Sequence, residues 1–328
     1  MLPRRALLLA GVAIFGCGGD GGRGGDDAVS FTGISVSASG ADGSGGDGGD
    51  GDGDGDETGE KLDQGGGSGP MAMGCDKIDF LFVVDNSVSM EDEQANLITS
   101  FPGFIDGIRN SIEGVEDFHV GVVTSDTYAA APQVCRFVGG LVIETGGAFS
   151  SDAVCGPYAE GANYMTEQDD LNATFSCAAR VGASGQAIER PMDAAIAAIT
   201  GVGTGPGECN EGFLRDDALL VLVVITDEWD GPGDPEGQTS AGTPQQWYDT
   251  IVSAKGGATQ VAAVSLVNDG TVCVAPETFN DGVRLVEFTA LFGGNGFLGG
   301  VCQPDYGPVF ANAIDVVADA CAGFVPAG

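Results

Sequence analysis

The stretch Ile78-Asp-Phe-Leu-Phe-Val-Val-Asp-Asn-Ser-Val-Ser-Met90 runs an apolar segment directly into Asp85-x-Ser87-x-Ser89. It reads as a buried strand whose end presents one carboxylate and two hydroxyls, oxygen donors of the kind a hard divalent cation collects. Asp and Ser also populate caps and turns, so a Ser-rich turn leading into a helix is the competing reading. A second strand, Ala218 to Thr226, ends in Asp227, Glu228 and Asp230. Two strands that each end in acid favour the metal site.

Outward from these two strands the chain alternates. Glu91 to Ile112 carries apolar residues at helical spacing, with Ser89 as a natural cap and Pro102 predicting a kink or early break. Phe118 to Thr124 is a further apolar run of strand type, ending in Thr124-Ser-Asp126. Thr124 and Asp126 are second-tier site candidates, with an ordinary turn as the alternative. Tyr128 to Cys177 reads as a long irregular region ordered by bridges. Gln186 to Ile199 predicts an Ala-rich helix. Gln245–Lys255, Val283–Phe292 and Tyr306–Cys321 predict further helices, and Gln260–Val267 another strand. This alternation implies an α/β fold with a doubly wound, mostly parallel sheet flanked by helices. Ligands of such sheets bind beyond the carboxyl ends of the strands, the edge that Asp85 and Asp227 share.

With those motifs in place, the chain resembles a von Willebrand factor type A domain carrying a metal ion-dependent adhesion site, over roughly Cys75 to Phe324. The resemblance implies a divalent cation (Mg2+, Mn2+ or Ca2+) held by Asp85, Ser87, Ser89 and Asp227, with a threonine from an intervening loop. At that loop, Arg180 to Gln186, this sequence departs from the pattern and offers Ala183 and Ser184, so Ser184 is the candidate hydroxyl. The implied role is adhesion or assembly, in which an acidic group of a protein partner completes the cation's shell. Glu228 and Asp230 remain second-tier: a supporting layer, a further Ca2+ position, or an acidic rim.

The 328-residue chain carries a net charge of −36, which argues against nucleic-acid binding. Residues 1–16 combine Arg4 and Arg5 with an apolar run too short to span a bilayer, and read as an export signal. Ile14-Phe15-Gly16-Cys17 resembles a bacterial lipobox, implying lipid on Cys17 and anchorage in the cell envelope, at the outer membrane; an ordinary signal peptide with an incidental cysteine is the alternative. Residues 17–74 are dominated by Gly, Asp and Ser and read as a disordered tether of about 40 Å reach. The domain is assigned to 75–328. Of nine cysteines, setting Cys17 aside leaves an even number, which in an exported chain argues for disulfides. Cys75 with Cys321 is the preferred pair because domain termini lie close together. Cys273 with Cys302 is a second pair, and Cys135, Cys155, Cys177 and Cys209 pair among themselves.

Two other functional classes compete with a cation-dependent binding module. One is a metal-free structural module, motivated by Ala183. The other is a metal-dependent phosphohydrolase using Asp85 as nucleophile, but Asn86-Ser87 lacks the second carboxylate such chemistry uses. A Ser-His-Asp triad would need the single histidine, His119, which sits on a strand with no nucleophile elbow nearby. The sequence therefore reads as non-enzymatic.

Overall fold

The computed structural model describes residues 74–186, 189–227, 230, 239–268 and 282–326. The export signal, Cys17, the tether up to residue 73, Glu228 and Cys273 lie outside the described residues. Strands β1 (Lys77–Val84), β2 (Asp117–Thr124), β3 (Met165–Thr166), β4 (Leu219–Ile225), β5 (Val261–Val267) and β6 (Gly296–Gly300) form one sheet in the order β3-β2-β1-β4-β5-β6. All neighbouring pairs are parallel except β2 with β3, which is antiparallel. The expected doubly wound, mostly parallel α/β architecture is what the chain adopts.

Helices α1 (Glu91–Ser111), α2 (Leu171–Ala178), α3 (Pro191–Thr200), α4 (Pro244–Lys255), α5 (Val283–Ala290) and α6 (Gly307–Ala322) flank the sheet. β1 and β4 are buried along nearly their whole length, so both faces must be apolar. From β1, Phe80 packs edge-on to Phe104 of α1 at 5.6 Å between centroids, and Phe82 meets Phe175 of α2 at 4.7 Å. Phe104 continues to Phe310 of α6 at 4.8 Å. Each buried phenylalanine contributes about 1.5–3 kcal/mol of transfer free energy. α3 packs on β1 and β2, followed by α4 and α5, where Trp247 meets Phe288 at 6.2 Å.

Several elements differ from expectation. α1 runs unbroken through Pro102, because the tertiary packing of Phe101, Phe104 and Ile105 outweighs one missing backbone bond. α3 begins only at Pro191, which suits a first helical position, and Gln186 is outside it with its N–H donated to Asp126 Oδ2. The supposedly irregular region contains β3 and α2, the latter capped by Asp170, which accepts from Ala173 N at 3.2 Å.

Disulfides join Cys75 to Cys321, Cys135 to Cys209 and Cys155 to Cys177. The first is the pair expected from the closeness of the domain's ends. Cys302 is disulfide-bonded, and its expected partner Cys273 lies outside the described residues.

Candidate metal centre at the β1–β4 crevice

In this strand order the chain winds one way from β1 and the other way from β4, so a crevice opens at the carboxyl ends of these two strands. Asp85 follows β1 immediately and is fully buried. Its N–H donates to Ile225 O at 3.1 Å, which extends the β1–β4 ladder by one residue. Asp85 Oδ1 accepts from Ser87 N at 2.7 Å, and Oδ2 accepts from Thr226 Oγ1 at 2.5 Å.

A single turn of 3-10 helix, Val88–Met90, intervenes before α1, so Ser89 does not cap that helix. Its hydroxyl crosses the crevice and donates to Asp227 Oδ1 at 3.1 Å. Ser87 Oγ lies 3.1 Å from Ser89 Oγ. With the Ser89 proton directed at Asp227, Ser87 is the donor of that pair. Ser87, Ser89 and Asp227 thus form one hydrogen-bonded chain, and Ser87 N attaches it to Asp85.

Among the described residues, no lysine or arginine offsets the burial of the Asp227 and Glu93 carboxyls. Burial raises the Asp227 carboxyl above the usual carboxylate range, opposed by the Ser89 hydrogen bond. Glu93, in the first turn of α1, is raised by burial and then by the Asp227 and Asp92 charges. Glu93 Oε2 is buried with no hydrogen-bond partner among the described residues. The phenol of Tyr306 is raised by burial, with Glu93 and Asp227 adding to the effect. Among the described residues no three His, Cys, Asp or Glu side chains gather into a metal-holding group by themselves. The available set is carboxylates supplemented by serine hydroxyls. Oxygen-only donors and an orphaned buried carboxylate oxygen fit a hard divalent cation.

In the third loop Ser184 Oγ accepts from Ala148 N at 2.9 Å, and the neighbouring Gly185 N donates to Asn86 O at 2.8 Å, which ties this loop to the Asp85 loop. Glu189, just before α3, is the carboxylate this segment sends toward Asp85. It is buried and accepts a short hydrogen bond from Ser125 Oγ, which itself lies 3.5 Å from Asp85 Oδ1. Arg190 N donates to Ser125 O at 2.8 Å and fixes the approach. Sequence reasoning missed Glu189 because it was placed inside a helix; Pro191, as a helix start, was the signal that put it in the loop.

Gln94 holds the loops together. From α1 its Nε2 donates to Asp85 O and to Gly182 O, both at 2.9 Å, and its Oε1 accepts from Gly182 N at 3.0 Å. Gly182 has φ +87°, and a Cβ there would lie 2.6 Å from Ala148 O, so this position requires glycine.

The second-tier residues divide. Asp126 Oδ1 accepts from Asn86 Nδ2 at 3.2 Å and from Thr124 Oγ1 at 3.3 Å, linking the β2 loop to the Asp85 loop. Asp230 is buried, not on a solvated rim. It accepts from Ser240 N at 2.7 Å and pairs at 3.5 Å with Arg284, whose guanidinium lies over Trp247. Asp230 therefore anchors the segment after β4. His119 lies opposite Asp79 near the start of β1, at the other end of the sheet from Asp85.

No family model matches the chain, and no curated protein matches it. Among solved structures, it is similar to a von Willebrand factor type A protein from Catenulispora acidiphila. The two are 12% identical with a TM-score of 0.37, over 73% of this chain and 42% of the other. Proximal thread matrix protein 1 from the mussel byssus is 12% identical with a TM-score of 0.40, over 75% of this chain and 49% of that one. The chain spans less than half the length of either, and likeness at this level carries no argument about function.

Proposed function

We propose that the crevice holds a divalent cation (Mg2+, Mn2+ or Ca2+) through Asp85, Ser87, Ser89 and Asp227, and that the cation receives an acidic group of a protein partner. The observation that carries this reading is the Ser87–Ser89–Asp227 hydrogen-bonded chain, which unites two loops at the strand switch. Neutral hydroxyls leave a bound cation under-neutralised, and such a cation attracts an oxygen anion from outside. The third loop adds the Ser184 hydroxyl that the resemblance implies and, through Ser125, the carboxylate of Glu189. In this reading the module is an adhesion or assembly unit of a bacterial cell envelope, tethered by lipid on Cys17 at the outer membrane, and performs no catalysis. A titration of Mg2+ or Mn2+ by calorimetry tests it. The chain should bind, and Asp85→Ala should bind at least tenfold more weakly; equal binding by both would refute the site.

A second reading is a metal-free structural module, and one observation favours it. Asp85 already accepts from Ser87 N and Thr226 Oγ1, which satisfies its buried charge in part without a cation. A melting temperature indifferent to both Mg2+ and chelator would select this reading.

A further inference from the structure

The segment Asp170-Leu-Asn-Ala-Thr174 carries a motif that the crevice does not use. Asn172-Ala-Thr174 is an acceptor sequence for an N-linked glycan, with no proline between the asparagine and the threonine. Asp170 stands two residues before the asparagine, the acidic position that bacterial transferases add to this motif. No other asparagine of the chain is followed two residues later by serine or threonine.

The structure places this asparagine where a sugar has room. α2 buries Leu171, Phe175 and Ala178, and the same helix turns Asn172 and Ala173 to solvent. Among the described residues the Asn172 amide takes no hydrogen bond, so a glycan on its nitrogen breaks none. Asp170 Oδ1 caps α2 at Ala173 N, and Thr174 Oγ1 donates to Asp170 O at 2.9 Å, so folding commits both flanking groups to the helix. They are free earlier. A helix of this length does not persist alone, and α2 is held by Phe175 against Phe82 and Phe101 and by the Cys155–Cys177 bridge. Until those contacts form, Asp170, Asn172 and Thr174 lie in open chain.

We propose that Asn172 is N-glycosylated as the chain is exported. This rests on residues 1–16 acting as an export signal and is independent of the cation. The Asn172 amide nitrogen attacks C1 of a glycan carried on a polyprenyl pyrophosphate. A C–N bond forms, the bond from C1 to the pyrophosphate oxygen breaks, and the pyrophosphate leaves with the electron pair. The amide gives one proton to a base of the transferase, and nothing is oxidised or reduced.

The test is peptide mass spectrometry of the chain isolated from the cells that encode it, and of variants made in the same cells. The expected result is a glycan mass on Asn172, lost whole in Asn172→Gln and in Thr174→Val and kept in Thr174→Ser. Retention in Thr174→Ser separates the chemistry of the hydroxyl from any harm to α2. A bare Asn172, or a glycan on Asn172 that survives Thr174→Val, would each overturn the proposal. The N-terminal peptide of the same digest reports export. If residues 1–16 are gone and Asn172 is bare, this proposal alone fails; if they are retained, the export reading fails with it.

Discussion

Ser89 Oγ donates to Asp227 Oδ1 at 3.1 Å, across 138 residues of sequence. This bond joins the loop after β1 to the loop after β4 and makes the two acidic loops one structural unit. It also removes Ser89 from the capping role its position suggests.

If a cation shares this unit, it stabilises the folded state by mass action. Mg2+ at about 100 times its dissociation constant should add about 2.7 kcal/mol, which in a chain of this size raises the melting temperature by about 5–10 °C. Asp227→Ala and Ser89→Ala should reduce that rise, the former to nothing. Differential scanning calorimetry with and without EDTA reads it, and an undiminished rise in Asp227→Ala would rule out the assigned ligands.

Gln94 satisfies three backbone groups belonging to Asp85 and Gly182, and is itself buried. Gln94→Ala leaves those groups without their partner and should cost about 2–4 kcal/mol. Urea unfolding should show a lowered midpoint at unchanged slope, and cation affinity should fall along with it. Retention of both would mean that the loops do not depend on this clamp.

His119 is the chain's single histidine, so its titration is unambiguous by NMR. Burial lowers its pKa below 6.5, opposed by the Phe213 carbonyl, with Arg215 lowering it further and Asp117 and Glu167 acting in the opposite sense. A folded-state pKa below the unfolded value means that the folded protein binds fewer protons between the two. The stability contribution is complete above pH 6.5 and is lost as pH falls through the depressed folded pKa. The measured midpoint should lie below 6.5, and His119→Gln should flatten this part of the acid limb. A midpoint above 6.5 would contradict the neutral, Phe213-bonded imidazole.

The Cys75–Cys321 bridge spans 246 residues and ties the entry to β1 to the end of α6. In the chain-entropy account, closing so long a loop stabilises by about 5 kcal/mol. The double variant Cys75→Ser, Cys321→Ser should lower guanidinium stability by up to that amount while leaving the ends of β1 and β4 as cation-competent as before. A change below about 1 kcal/mol would show that packing of α6 alone retains the terminus.

Elements with a strong apolar period were legible in the sequence: β1, β2, β4, β5, α1 and α4 lie within a few residues of where that period places them. β6 escaped because Gly296-Phe-Leu-Gly-Gly300 lacks β-branched residues and is held by its pairing with β5. β3 escaped because two residues have no period to detect. The buried Asp79, hydrogen-bonded to Arg215 N at 2.7 Å and to Arg215 Nε at 2.8 Å, was equally hidden, since its carboxyl interrupts an apolar strand and its partner lies 136 residues away. Burial pushes that carboxyl up to about 6 despite the guanidinium beside it.

The sequence by itself determined the alternation of strand and helix, and hence the sheet and the edge at which Asp85 and Asp227 emerge, because local hydrophobic period dictates which segments must be buried. Only the tertiary structure decided which oxygen faces which. It turned Ser184 to Ala148, brought Glu189 to Ser125, buried Asp230 against Arg284 and carried Ser89 across to Asp227. Those choices depend on loop closure and on satisfying every buried polar group at once, a condition set by neighbours distant in the chain.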